Sequence, residues 1–166
     1  VDVIVTTGNR ETRAALGATS TIPVVMVFVP DPVAQGFVHS LARPGGQVTG
    51  LTNMVPGLSQ KYLELMRELL TGARQVAVVA SPSNPVPEHR AELDDAARRV
   101  SLSLRYVEVA TAAEIEPELA KVRQRGASGI IVTQDPLTFL HRRRLTEAAR
   151  AQRLPGLYWV REYVLA

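Results

Sequence analysis

Several short polar segments, each set directly behind an apolar run, are where this chain can meet a ligand. They are Thr6-Thr7-Gly8-Asn9, Pro30-Asp31-Pro32, Ser81-Pro82-Ser83-Asn84-Pro85, Ala110-Thr111 and Thr133-Gln134-Asp135-Pro136, with Tyr158 and Trp159 in "LYWVRE". They are rich in hydroxyls and amides, hold a few carboxylates and have little His or Lys. Such groups hydrogen-bond a small polar ligand; they do not make a reactive constellation. "TTGNRET" suits a carboxylate or phosphate held at a helix N-terminus, or Gly8 and Asn9 only turn the chain and cap the helix. Asp31, between two prolines, accepts from a ligand ammonium or closes an Asp-Pro turn. Asp135 in "TQDPLTF" offers the same choice, with a helix cap as its structural alternative. Acidic groups from two parts of the chain facing one cleft would suit a small amphoteric ligand such as an amino acid. Ser81, Ser83 and Asn84 line a pocket, or Asn84 caps the next helix. Tyr158 and Trp159 are adjacent on a strand and so point to opposite faces. One is then available to stack on a ligand while the other enters the core.

Other chemistries find little support. The chain has no cysteine, which excludes a disulfide framework, a thiolate metal site and a cysteine nucleophile. His39, His89 and His141 lie far apart with no metal-ligand spacing. There is no G-x-S-x-G elbow and no G-x-G-x-x-G or G-x-x-x-x-G-K-[ST] phosphate loop. We expect no cofactor and assign no catalytic residue. The run "HRRRLTEAARAQR" reads as a solvated helix face with buried stems, without the aromatic interleaving of a nucleic-acid surface.

The 166 residues are 46% hydrophobic and 21% charged, with a formal net charge of +3. That is the composition of a globular protein with an aliphatic core. So mild a basic excess, scattered among acidic residues, argues against a nucleic-acid partner. No apolar run approaches the roughly 18 residues of a membrane span. "VDVIVTTG" and "IPVVMVFV" read as strands apolar on both faces, each covered by helices in a parallel sheet. "VAQGFVHSLA" reads as a short helix with Val33, Phe37, Val38 and Leu41 on one side. "LSQKYLELMRELL" is a helix with Leu58, Tyr62, Leu65, Met66 and Leu69 near one face. From there strands and helices alternate: "QVAVVAS", "PEHRAELDDAARRVSLS", "LRYVEVAT", "AEIEPELAKVRQRG", "SGIIVTQD", one helix "LTFLHRRRLTEAARAQRL", and "PGLYWVREYV". This order calls for right-handed βαβ units and an α/β fold of doubly wound parallel sheets. Residues 1–47 carry two βα units, too few to cover their own core. They would need partners from outside this chain or would add to the sheet of 54–166.

"DPVAQGFVHSLARPGGQVTGLT", "LSQKYLELMRELL", "QVAVVASPSNP" and "LPGLYWVREYV", in that order, resemble the ABC-transporter substrate-binding proteins of the tryptophan/tyrosine-type group. The resemblance runs along nearly the whole chain, and "DPV…SLARPGG-x-VTG" is its most specific part. It implies the type I periplasmic binding protein fold, two α/β lobes joined by crossover strands. In that fold 1–47 is part of the first lobe, 48–53 a crossover and hinge strand, and 54–166 the second lobe. The family's chains are nearly twice as long, so the resemblance implies an internal fragment with the first lobe incomplete and the second truncated.

The implied function is non-enzymatic. The protein would be the solute-binding component of an ABC importer, holding a small polar or amphoteric, amino-acid-like solute between two lobes. Its partner would be a membrane permease, and its place periplasmic or anchored outside the cytoplasm. Ligand-binding residues would be Thr7, Gly8, Asn9 and Asp31 from the first lobe and Ser81, Asn84, Asp135 and Tyr158 from the second. The fragment's exposed sheet edges could pair in a homodimer. The alternatives are the ligand-sensing core of a transcriptional repressor on the same fold, and an enzyme on a flavodoxin-like sheet.

Overall fold

A computed structural model describes residues 1–53, 57–82 and 87–166. The chain divides into two compact units, Val1–Pro56 and Gly57–Ala166. Each has its own parallel sheet.

In the first unit, β1 (Ile4–Thr7) leads into helix α1 (Asn9–Ala18), then β2 (Val24–Val29) and β3 (Val48–Thr52). The sheet order is β1-β2-β3, with both pairs parallel. Residues 1–47 therefore do not add to the second sheet: Val48–Thr52 joins them as a third strand. Val24, Met26, Val29 and Val48 form the core with Ala15 of α1 and with Phe37 and Val38. Two expectations are corrected here. "VAQGFVHSLA" is a series of turns and bends, not a helix. The left-handed backbone of Gly36 (φ 73) breaks any helical path, yet Phe37 and Val38 still reach the core while Val33 and Leu41 stay exposed. Nor is β1 buried on both faces. Val3, Val5 and Leu51 point away from the core cluster and are exposed, so among the described residues only one face of this sheet is covered.

β2 carries a bulge. Met26 pairs with Gly50 and Val29 with Thr52, so Val27 and Phe28 together oppose Leu51 alone. Phe28 takes the left-handed conformation (φ 55), which costs a bulky residue on the order of 1–2 kcal/mol. The strand beyond it is held by the Thr52 hydroxyl, which donates to the Val29 carbonyl at 2.8 Å. Gly50 (φ 143) lets β3 approach so closely that any Cβ there would collide with the Met26 carbonyl oxygen.

The second unit begins with α2 (Leu58–Leu69) and β4 (Gln75–Ala80), followed by α3 (Pro87–Arg99) and β5 (Ser103–Glu108). A short 3-10 turn, Ala112–Glu114, leads into α4 (Ile115–Gln124) and β6 (Ile130–Val132). Helices α5 (Pro136–Leu140) and α6 (Arg142–Ala151), β7 (Gly156–Tyr158) and a 3-10 turn, Arg161–Tyr163, complete it. All four strands are parallel, in the order β5-β4-β6-β7. Alternate residues of β4 feed two cores. Val76 and Val78 pack with Leu63 and Met66 of α2 and Leu93 of α3. Ala77 and Val79 pack with Leu119 of α4 and Leu145 of α6. The sheet is doubly wound, as the alternation of strands and helices requires.

Two helical expectations change. The helix anticipated over 137–154 is two, because His141 (φ −101, ψ 25) leaves the helical region between α5 and α6. On α2 the buried side is Ser59, Leu63 and Met66; of the expected stripe Met66 is buried as anticipated, while Leu65 and Leu69 are exposed. Leu63 is 0% exposed and Leu69 62%. Both stripes of α2 are apolar, and only packing against β4 chooses between them. Leu63→Ala should therefore lower the urea unfolding free energy by about 2–5 kcal/mol. Leu69→Ala should change it by less than about 0.5 kcal/mol. Equal losses would show that the buried face is assigned wrongly.

Candidate functional site

In open parallel sheets a ligand sits beyond the carboxyl ends of the strands, where the winding reverses. In the second unit the chain passes from β4 outward to β5, then returns to β6 on the other side of β4. The reversal lies between β4 and β6. Ser81 follows β4 and Thr133-Gln134-Asp135 follows β6, so both turns flank that point. Thr133 ties the two strand ends together: its N–H and hydroxyl both donate to the Val79 carbonyl, at 3.1 and 3.2 Å.

Asp135 is 1% exposed. Its Oδ1 caps α5, accepting from the N–H groups of Leu137 (2.8 Å) and Thr138 (3.1 Å). Pro136 at the first helical position suits this cap, since it has no N–H to satisfy. The second oxygen, Oδ2, is buried with no hydrogen-bond partner among the described residues. Burial pushes the carboxyl group's pKa up, against the two backbone donors that pull it down. Asp135 is thus both the helix cap and an unneutralised acceptor.

Next to it stands an aromatic group. Thr138 Oγ1 donates to the Asp135 carbonyl at 3.1 Å and accepts from the Tyr163 hydroxyl at 3.0 Å. Trp159 Nε1 in turn donates to Tyr163 Oη at 3.3 Å. Tyr158 stacks on Tyr163 with ring centroids 5.0 Å apart, and Phe139 meets Trp159 at 5.6 Å. The Arg142 guanidinium lies 5.0 Å from the Phe139 ring centroid. Tyr158 and Trp159 do not divide between two faces as expected. β7 ends at Tyr158 and the chain bends, so both rings pack against one core cluster.

In the first unit the expected residues gather at the carboxyl ends of β1 and β2. Thr7 ends β1 and is exposed. Gly8 (φ 88) precedes α1, and its N–H donates to the Val27 carbonyl at 3.0 Å. Asn9 opens α1 without capping it; its Oδ1 is buried and has no partner among the described residues. The turn is pinned by Thr6 and Thr12, whose hydroxyls meet at 2.8 Å while Thr12 Oγ1 donates to the Gly8 carbonyl. Asp31 (φ 40) closes its own turn, with Oδ1 accepting from Ala34 N–H at 3.1 Å. Asn84, with Ser83, lies outside the described residues. Among the described residues no cluster of His, Asp and Glu could hold a metal ion, and no helix is long and apolar enough to cross a membrane.

Sequence reasoning included Thr133 in a candidate turn but missed Thr138, Tyr163 and Phe28. A hydroxyl three residues after Asp135 was the available signal for Thr138. Nothing local marked Tyr163 or Phe28.

A doubly wound sheet with polar turns at its switch point defines an open-sheet α/β protein. The chain belongs to the family of ABC transporter substrate binding proteins, whose family model matches residues 1–164. It is similar to a tyrosine-binding protein of Clostridioides difficile (strain R20291), 29% identical over 122 residues, which are 73% of this chain and 35% of the relative. Among solved structures it resembles an ABC domain in complex with L-Trp from Streptococcus pneumonia, at 21% identity and a TM-score of 0.86. It also resembles a conserved domain protein from Vibrio cholerae O1 biovar El Tor, at 25% identity and a TM-score of 0.86. Each match covers 99% of this chain and 55% of the other. The chain thus spans about a third of the curated relative's length and about half of the solved ones.

The carboxyl group of Asp135 has a direct consequence for stability. Its folded pKa lies above the unfolded one, so the folded state holds the proton more tightly. The stability this adds is complete below about pH 4 and is lost as the pH rises through the raised value. Thermal unfolding of wild type and Asp135→Asn between pH 3.5 and 7 should show this. The wild type should lose ground to the variant as pH rises; a gain would mean that ionised Asp135 is already compensated.

Proposed function

We propose that the protein is the solute-binding component of an ABC importer and takes an amino-acid-like solute at the carboxyl ends of its parallel strands, without chemistry on it. The observation that carries this reading is the β4/β6 switch point. Ser81, Thr133 and Asp135 flank that point, and the second carboxylate oxygen of Asp135 is buried without a partner among the described residues. Asp135 is the acceptor for a ligand ammonium; its ionisation, unfavourable alone, is offset once a cation arrives. Tyr158 lines the same end of the sheet, and Asn84 belongs to the turn after Ser81. Thr7, Gly8, Asn9 and Asp31 supply hydrogen bonds from the first unit.

The tyrosine-binding relative and the L-Trp complex support an amino acid with an aromatic side chain. Residues 48–53 serve as the hinge strand between the lobes. The closed form is presented to a membrane permease outside the cytoplasm, with the protein periplasmic or anchored there.

Calorimetric titration of the full-length protein tests this with L-tyrosine, L-tryptophan, L-leucine, a hexose and a nucleotide. One amino-acid class should bind and be recovered unchanged. Asp135→Asn should weaken that binding roughly 10- to 100-fold, the range for a hydrogen bond to a charged group. Binding of only the hexose or nucleotide, or turnover of any ligand, would overturn the reading.

A further inference from the structure

Phe28 is placed where an aromatic ring has no reason to be for the sake of the described fold. The β2 bulge puts it in the left-handed region that glycine or asparagine enters with least strain. Its side chain is 57% exposed and takes no part in the first unit's core cluster. The bulge itself is anchored without it, by the Met26–Gly50 pairing before and the Thr52–Val29 hydrogen bond after. So the ring is strained into position, exposed and unnecessary to the pairing. Bulges beside binding sites commonly re-aim a side chain in this way, and strained backbone persists where function needs it.

The position of Phe28 supplies the rest. It stands near the carboxyl end of β2, immediately after Val27, whose carbonyl accepts from Gly8 N–H in the β1–α1 turn. Asn9 in that turn keeps a buried oxygen with no partner among the described residues. An exposed apolar plane therefore stands at the edge of the sheet where that turn lies. A ligand packing on it has a flat apolar part.

We propose that Phe28 is a specificity-determining platform on which the aromatic side chain of the solute packs. This rests on the solute-binding reading above and names the side-chain class that the first unit selects. Aromatic rings gain from offset or edge-on contact beyond the area they bury, so the platform favours aromatic over aliphatic side chains.

The test uses the full-length protein with L-tryptophan, L-tyrosine and L-leucine as probes, and two variants. Phe28→Ala removes the ring and leaves the strained backbone. Phe28→Asn removes the ring and suits the left-handed conformation. Both should weaken L-tryptophan or L-tyrosine binding by roughly tenfold relative to L-leucine. Phe28→Asn should also raise the ligand-free melting temperature by a few degrees, roughly the effect of relieved backbone strain. Variants that bind all three probes like wild type would overturn the platform. So would variants with a lowered melting temperature and equal losses for all probes, since the ring would then be packing within the longer protein. A wild-type protein that binds no amino acid would remove the solute reading itself and the platform with it.

Discussion

A strand that pairs parallel with its neighbour must be entered from the same end, so each connection has to cross the whole sheet. The turns leaving the strands are then gathered at one edge. In this chain that constraint holds in both units, since every strand pair is parallel. The polar groups of the β1–α1, β2, β4 and β6 turns are brought to carboxyl edges by it. β4 meets the requirement most strictly. Its side chains are buried on both faces between α2 and α3 on one side and α4 and α6 on the other. That rigid centre is what positions Ser81 and Thr133-Gln134-Asp135 at the reversal of the winding.

Two local tensions sit at those edges. Asp135 satisfies the first N–H groups of α5 with one oxygen and leaves the other buried and unpaired. A buried polar atom without a partner costs roughly 1–3 kcal/mol, more when charged. Phe28 carries a backbone conformation suited to glycine and exposes its ring. Both features oppose folding, and both lie toward the carboxyl ends of strands. Gly50 shows the opposite case. Its freedom lets β3 pack onto Met26, which serves the strand pairing.

Much of this was legible in the sequence because the period is strong. "QVAVVAS" is apolar at every position a strand buried on both faces needs. The polar turns behind such runs fall at the carboxyl ends of the strands. Less legible were features decided by packing. α2 has two apolar stripes, and only the contact with β4 separates Leu63 from Leu69. His141 divides α5 from α6 with neither proline nor glycine to announce it. The turns at 32–41 look helical by composition, but Gly36 takes a left-handed path. Tyr158 and Trp159 would alternate on a longer strand, yet β7 stops between them. The bulge at Phe28 is a property of how β2 and β3 register, which no local pattern records.

The most direct test of the account is a crystal structure of the full-length protein grown with L-tryptophan or L-tyrosine. The ligand should lie at the carboxyl ends of the strands, in contact with residues of the 7–9, 28–31 or 133–135 turns. A ligand bound at the amino ends of the strands, or held without any residue of the 7–9, 28–31 and 133–135 turns, would contradict it.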